Sequence, residues 1–210
     1  MRFLLPTLLA ICAVPVADAQ TIGRCQIRSG TQCVSANLRG AALPKANLAI
    51  SDLSRADLSG ADLTEARLDR AKLGQANFQR ANLTQASLER ARMRGANLTG
   101  ATLVRANFSA ADLQGASLGE ADLSNAVLNG TSLRYARMQS AKLRGASLEG
   151  ADLTGADLRG ADLEGADLRG ARLEKANLQG ADLTGAKLEK ATFRGATVQG
   201  CTGCPKPAAP

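Results

Sequence analysis

The side chains best suited to chemistry in this sequence are five cysteines, Cys12, Cys25, Cys33, Cys201 and Cys204. The last two stand in a C-x-x-C spacing, which occurs in redox-active thiol pairs and in zinc sites. A zinc ion normally takes four ligands; the chain has no histidine, so two molecules would have to share the metal. A redox pair belongs next to a βαβ pattern, and none surrounds these cysteines. Structural disulfides are therefore the favoured interpretation, with a redox pair and a shared metal site as alternatives.

The first nineteen residues have the layout of a secretory signal peptide. Met1-Arg2 give a positive start, residues 3–16 form an apolar run, and Ala17-Asp18-Ala19 has the form of an A-x-A cleavage site. We expect the mature chain to begin at Gln20 and to be exported, to the periplasm or the extracellular space. In such an oxidising compartment the four remaining cysteines would form disulfides. Lipidation of Cys12 is the weaker alternative, because the bulky Ile11 precedes it.

A five-residue repeat fills residues 36–200 without an insertion or deletion, in thirty-three consecutive units. Ala opens every unit except those that begin with Ser51 and Thr131, and the third position is Leu in twenty-seven units and another large apolar residue in the rest. Asp or Asn stands between the two in seventeen units, and sixteen units end in Gly. A fixed period of this kind indicates a stacked repeat architecture.

The five-residue period excludes an amphipathic helix. Five residues rotate an α-helix by a net of about 140°, so successive Leu residues would spread around the helix and form no apolar stripe. In an extended segment, Ala and Leu two residues apart point to one side, and the Asp or Asn between them points to the other. The last two residues must then turn the chain, and Gly permits the positive φ of a corner. The repeat predicts a coil of short extended segments joined by corners.

Units such as Ala36-Asn37-Leu38-Arg39-Gly40 and Ala151-Asp152-Leu153-Thr154-Gly155 resemble those of the pentapeptide-repeat proteins, over 165 of the 210 residues. The resemblance implies an all-β fold, a right-handed quadrilateral β-helix with four units per coil and with Leu and Ala stacked inside. Thirty-three units would make about eight coils, a rod roughly 40 Å long at the usual strand spacing. The two ends would then lie beyond disulfide reach, which implies the pairs Cys25–Cys33 and Cys201–Cys204.

The sequence is interpreted as one folded domain with an end segment on each side. Residues 1–19 are the signal peptide, 20–35 an N-terminal cap with its cysteine pair, 36–200 the β-helix, and 201–210 a C-terminal cap with a disordered Pro-rich tail. Caps are required because terminal coils expose unpaired backbone groups. Cys33 occupies the next inward Leu position, whereas Gly203 replaces an inward Leu, so the coil should end there.

The formal net charge is +7, and four units per coil sort the charges onto four faces. One face, here named the basic face, carries eight basic and four acidic residues; its units are centred on Leu53, Leu73, Met93, Leu113, Leu133, Leu153, Leu173 and Phe193. An excess of positive charge attracts anionic polymers, here lipopolysaccharide, an acidic glycan or nucleic acid. The predicted contacts are Arg92, Arg94, Arg134, Arg172 and Lys175, and an ordinary solvated surface is the alternative.

Enzymatic activity finds no support in the sequence, because histidine is absent, the Asp residues recur at outward positions, and no long loop could carry a site. No cofactor is expected. The best-known proteins of the resembled family mimic DNA and act on gyrase through an acidic surface, so a net charge of +7 makes that role a minor alternative. The leading hypothesis is a non-enzymatic exported scaffold or protein-interaction module of the bacterial envelope, without a transmembrane segment in the mature chain. Its partner would be an unidentified protein or envelope polymer, with no specific nucleic acid expected, and polyanion binding is the second hypothesis.

Overall fold

The structure is a computed structural model that describes residues 21–205. The predicted signal peptide and residues 206–210 of the predicted tail lie outside the described residues. Parallel backbone pairing joins each second-position residue to the one twenty positions later, from Gln32 with Asp52 to Asp182 with Thr202. Each coil therefore contains twenty residues, or four units, as the resemblance implied. Within residues 21–205 no helix is long and apolar enough to cross a membrane.

Each extended segment is so short that a single residue of the unit pairs with each neighbouring coil. The Leu53 N–H donates to the Lys72 carbonyl at 2.8 Å, and the Asp52 N–H donates to the Thr31 carbonyl of the preceding coil at 2.8 Å. The corner N–H groups complete the ladder, as where Arg55 donates to the Gly74 carbonyl at 2.9 Å. Three hydrogen bonds per unit thus hold each coil to its neighbours.

The core is a column of stacked Ala and Leu side chains. From Leu53 to Leu183 the inward positions are at most 2% exposed. Ser51 and Thr131, the two residues that replace the inward Ala, are completely buried. The Ser51 hydroxyl donates to the Arg28 carbonyl at 3.3 Å, and the Thr131 hydroxyl donates to the Phe108 carbonyl at 2.7 Å. These bonds offset the loss of hydration that an unpaired buried hydroxyl would suffer.

The corners differ from the sequence-based expectation in one respect. Glycine was expected to supply the positive φ, but the seventeen units that end in another residue hold the same left-handed conformation, including Ile50 at φ 54° and Tyr135 at φ 55°. The corner N–H is bonded to the next coil wherever one follows, as in Ile50 to Asp69 at 2.8 Å. Lys190 in the last coil holds the same conformation, at φ 61°, so the turn of the coil itself imposes the angle. Strained residues of this kind persist where the surrounding structure fixes them.

The Asp or Asn at the second position satisfies a backbone group that the ladder leaves free. Its side-chain oxygen accepts the N–H of the residue two positions later, as in Ser59 to Asp57 at 3.0 Å and Arg39 to Asn37 at 3.2 Å. In Asp-x-Thr units the hydroxyl donates as well, at 2.6 Å from Thr64 to Asp62. This local bonding is the reason Asp and Asn favour turns, and it accounts for their frequency here.

The two ends of the coil are closed differently. At the N-terminus, strands β1 (Thr21–Ile22) and β2 (Cys25–Gln26) form an antiparallel hairpin. Cys25 and the inward-pointing Cys33 are joined by a disulfide with a Cα–Cα distance of 5.3 Å. At the C-terminus pairing ends at Thr202, and a disulfide joins Cys201 to Cys204, with Cα atoms 5.7 Å apart. The last inward side chains, Leu188, Phe193 and Val198, are only partly buried.

Candidate binding surface

The basic face is one flat side of the rod, built from every fourth unit. Its second-position residues form a single column in which Asp52 pairs with Lys72, Lys72 with Arg92, and Arg92 with Asp112. In each unit of the basic face the third residue points inward. The side chains at the second and fourth positions therefore project outward from the same side of the rod. All five residues predicted to contact a polyanion lie on this face: Arg92, Arg94, Arg134, Arg172 and Lys175.

Acidic neighbours engage three of those five predicted contacts. Arg94 pairs with Asp112 in the next coil, and Arg134 and Arg172 approach the same oxygen of Asp152 at 3.2 and 3.3 Å. Arg92 and Lys175 form no ion pair with any of the residues 21–205. The predicted set therefore divides into three residues with a carboxylate partner and two without one.

Asp152 is the shared ion-pair partner of Arg134 and Arg172 and is only 8% exposed. Burial would raise the pKa of Asp152, but hydrogen bonds from Thr154 and Arg134 and the charge of Arg172 lower it below its usual value. A buried carboxylate needs such partners to remain ionised. Arg134 and Arg172 consequently pair with a carboxylate of the protein itself.

A groove of about 570 Å³ opens on the N-terminal half of the basic face. It is lined by four cations and one carboxylate, with small residues between them: Lys72, Arg90, Arg92, Arg94 and Asp112, and Ser54, Gly74, Ala91 and Ala110. Arg90 comes from the adjoining corner. Lys72 and Arg90 line the groove but were not among the predicted contacts, although the twenty-residue spacing of Lys72 and Arg92 was a signal that two cations share a column.

The one tyrosine of the chain lies exposed at a corner of the same face. Tyr135 is 56% exposed, and the guanidinium carbon of Arg134 lies 5.7 Å from the centre of its ring. This distance is within the range of cation–π contacts. The ring extends over Gly155 of the next coil, so a flat aromatic surface is presented beside the basic residues.

The acidic side chains of the faces are used in turns and ion pairs. Asp62 and Asp182 accept the hydroxyl and the N–H of Thr64 and Thr184, and these hydrogen bonds lower the pKa of each carboxyl. Among residues 21–205 there is no cluster of three or more His, Cys, Asp or Glu side chains arranged to hold a metal ion. The chemistry that this surface offers is the binding of charged and polar groups.

The family model described as pentapeptide repeats (8 copies) matches residues 31–70, 66–105, 106–145, 131–170 and 166–202. The chain belongs to this family, whose members fold as right-handed quadrilateral β-helices. The resemblance drawn from the sequence and the fold that it implied are thereby confirmed.

Solved structures of pentapeptide repeat proteins are similar to this chain over much of its length. HetL, from the cyanobacterium Nostoc sp. strain PCC 7120 and involved in heterocyst differentiation regulation, is 32% identical, covers 82% of this chain and 86% of its own, and has a TM-score of 0.56. Rfr23 of Cyanothece 51142 is 36% identical over 53% of this chain and 90% of its own, with a TM-score of 0.52. Full-length QnrB1, a plasmid-mediated fluoroquinolone resistance protein, is 21% identical over 79% of this chain and 90% of its own, at a TM-score of 0.50. No curated protein matches in sequence.

Proposed function

We propose that this protein is an exported, non-enzymatic interaction module, a rigid rod that presents fixed binding faces in the bacterial envelope. The observation that carries the proposal is the unbroken ladder from Gln32 to Thr202. With no insertion in the repeat, every outward side chain has a position set by the coil. Such a surface suits an extended partner, whereas catalysis requires groups that converge in a cleft.

Export is supported by the two ends of the rod. Each end has a cysteine pair bonded within the same end, at Cys25–Cys33 and Cys201–Cys204. Disulfides persist in oxidising compartments and are rare in the cytosol. Together with the signal-peptide pattern of residues 1–19, the pairs favour the periplasm or the extracellular space as the site of action.

Site-specific crosslinking in the native cell tests the interaction module. A photoreactive residue is placed singly at Gln114, Gly119, Ser124 and Asn129, the outward fourth positions of one coil, one on each of the four faces. A dedicated partner should crosslink from one of these faces and from the corresponding positions in the neighbouring coils. Equal, weak crosslinking from all faces would contradict a specific interaction surface. Cell fractionation of the same strains locates the protein, and recovery in the cytoplasm would contradict export.

A second candidate function, binding of a polyanion to the basic face, is favoured by its unpaired cations. Among residues 21–205, Arg55, Arg92, Lys175 and Arg194 have no ion-pair partner, although Asp52, Asp112 and Asp152 on the same face are paired. The test is retention on heparin as salt is raised, because polyanion binding releases counterions and therefore weakens with rising salt, more steeply the more ions are released. Changing the four cations to Gln should lower retention more than changing Arg39, Arg80, Arg105 and Lys142 on other faces. Equal losses would show that only net charge matters.

A gyrase-directed role receives no additional support. The likeness to QnrB1 is at 21% identity and concerns the fold. The surface of this chain has an excess of basic residues, with a formal net charge of +7, whereas a mimic of DNA needs an acidic one.

A further inference from the structure

We infer that the groove around Gly74 is a binding site for a tetrahedral oxyanion, a sulfate or phosphate ester carried on a sugar. This inference rests on the second proposed function, polyanion binding by the basic face. It narrows that function to one place on the rod and to one chemical group.

The groove contains a charge arrangement that the fold itself does not need. Lys72 and Arg92 are opposite each other in adjacent coils, the only pairing of two cations among the parallel bridges of residues 21–205. Like charges directly opposite in a sheet are destabilising. Asp52 contacts Lys72 at 3.4 Å and Asp112 is held by Arg94, so Arg92 is left without a carboxylate. A bound anion would neutralise this excess.

Arg90 adds a fourth cation from the neighbouring corner. It contacts Glu89 of its own unit at 3.7 Å, and that carboxylate is not among the residues that line the groove. The groove wall thus contains four cationic side chains and a single carboxylate, Asp112, which is already engaged by Arg94. Its electrostatic preference is for an anion.

Gly74 also differs from most other glycines of the chain in its backbone conformation. Every other glycine of the chain except Gly119 holds a positive φ, but Gly74 does not. A Cβ at Gly74 would meet only the Arg94 carbonyl oxygen, at 3.9 Å, which is an ordinary contact. The backbone therefore does not require glycine at this position. What the missing side chain provides is open space, and the resulting 570 Å³ falls within the roughly 300–1,000 Å³ typical of small-ligand sites.

The donors present define the ligand. Guanidinium groups bind oxyanions through paired N–H donors, and lysine adds a compact charge. Cations arranged around a groove from two columns and a corner suit a group that accepts hydrogen bonds in several directions, as sulfate and phosphate esters do. The exposed Ala110 at the rim offers apolar contact for the carbon skeleton of a sugar, and the open groove lets a polymer continue on both sides.

The decisive variant is Gly74→Gln, which fills the groove without changing charge, and its matched control is Gly119→Gln on another face. Gly119 also lies at a fourth position with an ordinary φ, and a Cβ there would have its nearest contact at 3.7 Å. The probe is a fluorescently labelled heparin-derived tetrasaccharide, measured by anisotropy. Gly74→Gln should weaken binding about tenfold or more, the loss expected when one or more charged hydrogen bonds are removed, and Gly119→Gln should leave it unchanged. Equal melting temperatures would show that both variants fold.

A second pair of variants separates the site from net charge. Arg92→Gln should weaken tetrasaccharide binding, whereas Arg105→Gln, in the same coil on another face, should not. Competition by inorganic sulfate or by inorganic phosphate identifies the ester group as the recognised part, and each anion is tested alone for binding. Unimpaired binding by Gly74→Gln would overturn the inference, and so would an equal loss from Arg92→Gln and Arg105→Gln.

The inference and the function on which it rests fail in different ways. If intact heparin is retained in a salt-dependent manner but Gly74→Gln has no effect, polyanion binding stands and the groove site is wrong. If the wild-type protein is not retained at all, both are wrong. If a single-stranded DNA oligonucleotide binds more tightly than the tetrasaccharide and is equally sensitive to Gly74→Gln, the groove recognises nucleic acid, and the assignment to a sugar ester is overturned.

Discussion

The ring of Tyr135 occupies the space that a side chain at Gly155 would need. A Cβ built on Gly155 lies 2.6 Å from Cε1 and 2.7 Å from Cδ1 of that ring. The glycine in one coil therefore determines where the aromatic ring of the preceding coil can lie.

Gly155→Ala should displace the Tyr135 ring from the corner. The chain has one tyrosine and no tryptophan, so its intrinsic fluorescence reports this ring alone, and acrylamide should quench it more readily in the variant. Gly165→Ala is the control, because Gly165 has the same positive φ, 66° against 67°, and nothing within 4 Å of its Cβ. Both variants should lose the stability expected for a strained corner, but unchanged quenching in Gly155→Ala would contradict the packing described here.

Ile50→Gly should make the protein more stable. Ile50 is a β-branched residue at φ 54°, a conformation that is rare for such side chains, and it is 61% exposed, so little burial is lost. We expect the free energy of unfolding to rise by roughly 0.5–1 kcal/mol, since relief of left-handed strain exceeds the added entropy of the unfolded chain. Val34→Gly is the control: it is also an exposed β-branched residue, but without a positive φ, and its stability should fall. A loss in both variants, measured by chemical denaturation, would show that the corner is unstrained.

Leu113→Ala should destabilise the protein by about 2–5 kcal/mol, the range for a buried leucine. Leu113 is completely buried in the middle of the ladder. Leu113→Asp should be worse, because it would place an unpaired charge in an apolar core. Gln114→Asp, on the outward side of the same unit, should change stability little. A melting temperature for Leu113→Asp equal to that of the wild type would place this residue outside the core.

Stability should fall in acid through the Asp residues of the turns. Hydrogen bonds from the Thr64 hydroxyl and N–H lower the pKa of Asp62 below its ordinary value of 3.8. A carboxyl with a lowered folded-state pKa contributes stability that is present above its unfolded pKa and is lost as pH falls through the folded one. Unfolding free energies measured from about pH 5 downward should therefore decrease most steeply below about pH 4.

Asp62→Asn tests this source of acid sensitivity. Asn keeps the oxygen that accepts the turn N–H, as Asn82 does for Thr84 at 3.1 Å, and has no proton to gain. We expect the variant to be nearly as stable as the wild type at pH 7 and to lose less stability in acid. An unchanged pH profile would show that Asp62 does not contribute.

The mature protein taken from its own cell should contain no free thiol. Proteolysis without reduction should give one linked fragment with Cys25 and Cys33 and another with Cys201 and Cys204, the pairs joined in the structure. Cys33 is buried and Cys204 is only partly buried beyond the last coil, so the C-terminal bond should be reduced first. A Cys33–Cys201 peptide from a monomer would contradict the rod, and four free thiols would contradict export.

The sequence predicted the parts of the fold that depend on a single unit. Alternation of Ala and Leu indicated which positions face inward, and the two residues left over in each unit indicated the corner. The role of Asp and Asn in bonding the turn N–H was missed, although the preference of these residues for turns was available as a signal.

Features that depend on two coils were harder to predict. Arg169 binds Asp167 of its own unit at 2.7 Å and Glu149 of the preceding coil at 3.5 Å. Second and fourth positions of one unit project from the same side, so the local carboxylate competes with those of adjacent coils. The Gly74 groove likewise needs side chains from coils twenty residues apart, and no local pattern reveals it.

Because each coil contains twenty residues, the core and the surface of this rod tolerate different insertions and deletions. Removing one unit, for example residues 111–115, would leave Ala and Leu in step, because every unit presents the same two side chains to the core. All residues beyond the deletion would move to the neighbouring face of the rod. Arg134 and Arg172 would then no longer lie on the face that carries Lys72 and Arg92. The core thus accepts length changes in steps of five, while the surface keeps its pattern only in steps of twenty.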